Sequence, residues 1–154
     1  MATDFRTFIA VAPMVCDARF PVLMRGRHGI GKSQVVYQIA KSLERPVVER
    51  RASQMTEGDL VGLPVVSGNS TKWNPPDWFK FACDNACVLF FDEVDRATTE
   101  VRQGLFELTD SRKLNGHRLH KDTLIFAAVN GGKDRKSTRL NSSHSQQSRM
   151  PSSA

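Results

Sequence analysis

Two stretches of this chain, and one residue near its last apolar run, have the types and spacing to do chemistry on a phosphate. Gly26-Arg27-His28-Gly29-Ile30-Gly31-Lys32-Ser33 fits the pattern G-x-x-x-x-G-K-S/T. In such a loop the glycines let the backbone curl until several N–H groups point into one concave anion site. A helix beginning near Lys32 adds the positive end of its dipole. Lys32 would reach the β- and γ-phosphates of a nucleotide, and the Ser33 hydroxyl would ligate Mg²⁺. The plain alternative is a glycine-rich turn without a ligand. The apolar strand before the loop and the helical pattern after it argue for the phosphate site.

Val88-Leu89-Phe90-Phe91-Asp92-Glu93 is an apolar strand ending in two carboxylates. Asp92 would hold Mg²⁺ through water, and Glu93 would polarise an attacking water. Successive strand residues point to opposite faces, so a bend is required for both to act at one site. Alone, this pattern also describes a strand entering a helix N-terminus that favours acids; the upstream loop decides for catalysis. Asn130 closes the last apolar run. Its neutral amide could orient water or touch a γ-phosphate, or Asn130-Gly131-Gly132 is merely a turn. His28, Arg96 and Arg102 read as solvent-facing, with a contact to nucleotide or to a neighbouring subunit as the sharper alternative. Trp73 and Trp78 flank Pro75-Pro76 and read as anchors for an irregular loop. Cys83 and Cys87, four apart on an expected helix, lack a second pair to complete a metal site and read as buried thiols.

Positioning these groups requires alternating strands and helices. Mixed three-and-four spacing of Phe5, Phe8, Ile9, Val11, Met14 and Val15 predicts an amphipathic helix over Asp4–Arg19. Strands are predicted at Phe20–Met24, Pro46–Arg50, Cys87–Phe91 and Thr123–Val129. Helices are predicted at Ser33–Leu43, Gln54–Leu60, Trp78–Ala86 and Glu100–Thr109, the last with Val101, Leu105, Phe106 and Leu108 on its apolar side. The turn-rich segment Val61–Trp78 suits a hairpin of Pro64–Val66 against Thr71–Trp73. Asn115-Gly116 marks a second hairpin within Lys113–Leu119. Apolar strands separated by helical crossovers imply an α/β fold with a mainly parallel sheet. Ligands in such sheets bind beyond the carboxyl ends of the strands, which is where the loop, Asp92, Glu93 and Asn130 all fall.

With 154 residues, 40% apolar and 25% charged, the chain suits one soluble domain. No apolar run approaches the roughly 20 residues that span a bilayer. The opening MATDFRTFIAVAPMV lacks the basic start of a signal peptide. With three cysteines and no disulfide framework, a cytoplasmic location is the default. The formal charge of +6 belongs mostly to the last 22 residues; without them 17 basic and 15 acidic residues leave +2, weak support for a nucleic-acid partner.

From Asp134 onward the chain is Ser-rich and polar and cannot form a core. It resembles an in-frame translation of a common sequencing-library adapter: DRKSTRLNSSH (Asp134–His144), a short index-like gap, then SRMPSSA (Ser148–Ala154). The expectation is a partial domain over residues 1–132 and a non-native, disordered tail over 133–154.

GRHGIGKS, SQMTEGDLVGLP, LFFDEVDRA, VRQGLFELTDSRKLNG and FAAVNG together resemble a MoxR-type AAA+ ATPase, within a wider set of dynein-related and midasin-like modules. The resemblance covers nearly all of Phe20–Gly132. It implies a P-loop NTPase three-layer sandwich with sheet order 5-1-4-3-2, one hairpin in the second helix and another before the last strand described above. Gly26 to Ser33, with Arg27, His28, Gly29, Ile30, Gly31 and Lys32, would be Walker A; Asp92 and Glu93, Walker B; Asn130, sensor 1. His28 stands where the family commonly has proline. The implied activity is Mg²⁺-dependent ATP hydrolysis that remodels or assembles partner proteins, in homo-oligomeric rings, often hexameric, acting frequently with a von Willebrand A-domain protein. The trans-acting arginine, fifth strand, helical lid and sensor 2 would follow Gly132, so the chain alone is expected to hydrolyse ATP weakly. A DNA-directed motor or loader and a non-hydrolysing nucleotide switch are the rival readings; a small-molecule kinase fits less well, with no acceptor-binding lid visible.

Overall fold

The computed structural model describes residues 4–131. Asp4 opens it as a helix cap, its carboxylate accepting the Thr7 N–H at 2.7 Å. Helix α1 then runs Phe5–Asp17, and strand β1 runs Val22–Gly26. Helix α2 (Lys32–Ser42) follows the glycine-rich loop, and β2 (Val47–Arg51) follows α2. Next come α3 (Glu57–Val61), the hairpin β3 (Leu63–Ser67) and β4 (Ser70–Asn74), and α4 (Asp77–Asp84). Strand β5 (Val88–Asp92), α5 (Thr99–Ser111), the short pair β6 (Lys113–Leu114) and β7 (His117–Arg118), and β8 (Leu124–Asn130) complete the order.

Strands β1, β8, β5 and β2 form one sheet in that order, parallel throughout. This is the 1-4-3-2 portion of the expected order, and the α/β reading holds. Alternation along each strand feeds two cores. Val88, Phe90, Leu124, Phe126 and Ala128 face α1 and α2. Leu89, Phe91 and Ile125 face the layer of α3, α4 and α5. Strands covered on both faces read as continuous apolar runs, which is why CVLFF and TLIFAAV are visible in the sequence; FPVLM is apolar too, but Phe20 and Leu23 in it are 67% and 64% exposed. Both expected hairpins form, with Pro64 opposite Trp73 and Leu114 opposite His117.

Four local expectations differ. The stretch read as one helix over Gln54–Leu60 is a 3-10 turn at Ala52–Gln54 followed by α3. Thr56 breaks it, because Thr56 and Asp59 form a reciprocal capping box that starts a new helix. Phe106 is 63% exposed while Val101, Leu105 and Leu108 are buried. Those three lie at i, i+4 and i+7 on one face, and Phe106 sits about 100° away from Leu105. On α1 the buried residues are Ala12 and Cys16, whereas Met14 is 71% exposed and Phe5 and Val11 also face out. Finally, α4 ends at Asp84, so Cys87 stands outside the helix and is buried, with its Sγ 3.9 Å from Thr123 Oγ1.

Candidate functional site

The sheet register gathers the site. Gly26 at the end of β1 pairs with Asn130 at the end of β8, and Arg51 at the end of β2 pairs with Asp92 at the end of β5. All four strand ends point the same way because every pairing is parallel. The loop beyond β1 closes onto α2 through Gly31, whose φ of +87° lies in the left-handed region that a side chain resists. Gly29, at φ +80°, makes the same demand two residues earlier. Arg27, His28, Gly29 and Ile30 are exposed, so His28 does face solvent, while Gly31, Lys32 and Ser33 are half-buried.

Lys32 reaches back across its own loop. Its Nζ donates to the Gly26 carbonyl at 2.9 Å, to the Arg27 carbonyl at 3.1 Å and to Asn130 Oδ1 at 3.1 Å. The lysine and the amide expected to share a site are therefore in direct contact, 98 residues apart in sequence. Gly131 N–H donates to the Gly26 carbonyl at 3.1 Å and closes β8 against the loop. Asn130 Nδ2 is buried with no hydrogen-bond partner. A buried orphan donor is costly, so this nitrogen is suited to an acceptor such as a phosphate oxygen or a water.

The bend required between the two carboxylates is present. Glu93 has φ +55° and ψ +39°, a left-handed conformation that is uncommon for a side-chain-bearing residue. Its N–H donates to Asp92 Oδ1 at 2.8 Å. Glu93 Oε2 accepts from the Ser53 hydroxyl at 2.5 Å, and Arg96 stands 3.9 Å from Oε1. The Glu93 side chain is 12% exposed, against 61% for Arg96. Asp92 is half-buried beside it.

Two residues at this site escaped the sequence reading. Ser53 follows β2 and meets Glu93 because β2 lies beside β5; the only sequence signal is its place just past a strand end. Asp95, two residues beyond Glu93, accepts the Asn130 N–H at 3.2 Å. Arg102 is half-buried on α5, and its guanidinium donates to Thr99 Oγ1 at 3.4 Å, a bond within its own helix. Trp78 is buried, donating from Nε1 to the Asp59 carbonyl at 2.8 Å, and so anchors the hairpin region as expected; Trp73 is 46% exposed. A groove of about 610 Å³ between β3–β4, α4 and His117 contains none of the loop or carboxylate residues.

Among the described residues no group of three or more His, Cys, Asp or Glu is placed to hold a metal. Mg²⁺ beside a nucleotide needs only one or two protein oxygens, the rest coming from phosphates and water. Ser33 and Asp92 are of that kind.

A family model described as AAA domain (dynein-related subfamily) matches residues 21–148. The chain belongs to that family. The match runs on into the polar stretch that resembles adapter sequence, which lies outside the described residues. Members of the AAA+ P-loop NTPase group are in general ATPases. The RuvB Holliday junction branch migration motor of Thermotoga maritima is a solved structure similar to this AAA domain, at 18% identity and a TM-score of 0.54. The similarity covers 81% of this chain and 37% of the motor, and it concerns the fold. The comparison with curated proteins finds no match. No helix among the described residues is long and apolar enough to cross a membrane.

Proposed function

We propose that this AAA domain binds Mg·ATP in the loop Gly26–Ser33 and hydrolyses it, within a ring of copies that remodels or assembles partner proteins in the manner of MoxR-type ATPases. The observation that carries the reading is the contact of Lys32 with Asn130, whose buried Nδ2 is left without an acceptor. Lys32 holds the β- and γ-phosphates, and the loop N–H groups cradle them. Ser33 and Asp92 would hold Mg²⁺, which supplies charge neutralisation on the phosphates when bound. Glu93 takes the proton of the attacking water, and the Asn130 amide orients that water or the γ-phosphate.

The test uses the full chain. Nucleotide affinity is measured by calorimetry with Mg·ATPγS, and hydrolysis in single turnover with protein in excess. Lys32→Ala should abolish measurable binding. Glu93→Gln should leave binding intact and lower hydrolysis by about 100-fold or more, the usual scale of general-base catalysis. Binding with hydrolysis unaffected by Glu93→Gln would replace this reading with a nucleotide switch. A salt-sensitive affinity for DNA would favour a DNA-directed motor. For the ring, light scattering with and without nucleotide reads the assembly directly.

A further inference from the structure

We propose that Asp95 is a positioning residue that aims the Asn130 amide; this rests on the hydrolytic reading above. The reasoning begins with the sheet. Strand β5 accompanies β8 only as far as Phe91 opposite Ala127, whereas β8 continues to Asn130. On its other side β8 is paired by β1 all the way to Gly26 opposite Asn130. On the β5 side the chain has turned away, through the left-handed Glu93 into the 3-10 turn Val94–Arg96. The tip of β8 thus runs past the last strand acceptor on that side.

Asp95 takes the place of the missing rung. Its Oδ1 accepts the Asn130 N–H at 3.2 Å. A carboxylate accepting from a backbone N–H makes a stronger bond than a neutral acceptor. The Asn130 backbone is then fixed from two sides, by β1 and by Asp95, and its side-chain Oδ1 is fixed by Lys32. What remains free is the orphan Nδ2, the atom with a donor to spare. The same turn that carries Asp95 carries Glu93, so the proton acceptor and the orienting amide are tied by one short piece of chain. Displacement of Asn130 by even a fraction of an ångström would misdirect Nδ2, while Lys32 keeps its bonds to the Gly26 and Arg27 carbonyls within its own loop.

The experiment compares Asp95→Ala with Asp95→Asn in the full chain. The asparagine keeps an oxygen acceptor at the same place. Three readouts are taken: Mg·ATPγS affinity, single-turnover rate, and exchange of the Asn130 backbone amide followed by NMR. Asp95→Ala should lower the rate about tenfold or more, the scale of a misplaced catalytic group, and leave nucleotide affinity within about twofold. Asp95→Asn should restore the rate to within about threefold. Asn130 exchange should speed up in Asp95→Ala and not in Asp95→Asn. A wild-type rate in Asp95→Ala, a loss of affinity matching the loss of rate, or equal failure of both variants with Asn130 still protected would each overturn the proposal. If the wild-type chain itself shows no hydrolysis, the hydrolytic reading falls, and amide exchange alone judges Asp95: faster exchange in Asp95→Ala upholds the tie, and unchanged exchange overturns it.

Discussion

Ser53→Ala is the perturbation with the clearest energetic consequence. The Ser53 hydroxyl donates to Glu93 Oε2 at 2.5 Å, and the Glu93 side chain is only 12% exposed, so solvent screens the bond little. Hydrogen bonds to charged groups contribute about 1.5–3 kcal/mol. In the proposed hydrolysis Glu93 is the base. A base must gain a proton as water attacks, so the bond weakens on the way to the transition state. If about half of a 2 kcal/mol bond is lost there, the serine raises the barrier by about 1 kcal/mol, or about fivefold in rate. Ser53→Ala should therefore speed single-turnover hydrolysis about fivefold at unchanged Mg·ATPγS affinity, and Ser53→Thr, which keeps the hydroxyl, should stay near wild type. Arg96 is not expected to substitute for the lost bond, since its 3.9 Å pair with Glu93 comes from a guanidinium that is 61% exposed. A slower rate in Ser53→Ala would refute the reasoning and make the hydroxyl a support for the productive conformation of Glu93.

Three further outcomes follow from the geometry. Leu105→Ala, at a buried position on α5, should cost about 2–5 kcal/mol in chemical denaturation, whereas Phe106→Ala at its exposed neighbour should stay within about 0.5 kcal/mol. Gly31→Ala places a side chain at φ +87°, costing about 1–2 kcal/mol of local backbone strain, and calorimetry should show weakened Mg·ATPγS binding. Burial, with Asp84 and Cys87 adding, pushes the Cys83 thiol up to about 11. The thiol is protonated below that value, so its alkylation by iodoacetamide at pH 8 should be far slower than that of an unfolded control and should climb as pH rises toward 11, provided circular dichroism shows the fold intact there.

What could be read from the sequence was whatever depends on near neighbours along the chain. The loop Gly26–Ser33 declares itself because its glycines, its lysine and its helix start are contiguous. Each strand covered on both faces is a short apolar run, and Asn115-Gly116 builds its turn from two adjacent residues. Phe106 and the outward face of α1 were misread for a related reason: spacing shows that apolar residues recur, but not which stripe meets the sheet. Small Ala12 and Cys16 lie inward on α1, and larger Phe5, Val11 and Met14 do not.

Ser53 and Asp95 were missed for a different reason. Each acts on a group at or just past the end of another strand, 40 and 35 residues away, through a bond that exists only in one register. Shifting β8 by a single residue against β5 would move Asn130 off Asp95 and reverse which faces its side chains occupy. Register here is set by the two cores, since Phe90 and Phe126 must point to one side and Leu89, Phe91 and Ile125 to the other. The apolar alternation of β5 and β8 therefore does more than hold the sheet together. It determines which carboxylate meets which amide at the strand ends, so core substitutions that loosen the β5–β8 pairing should disturb Asn130 before they disturb the Gly26–Ser33 loop that follows β1.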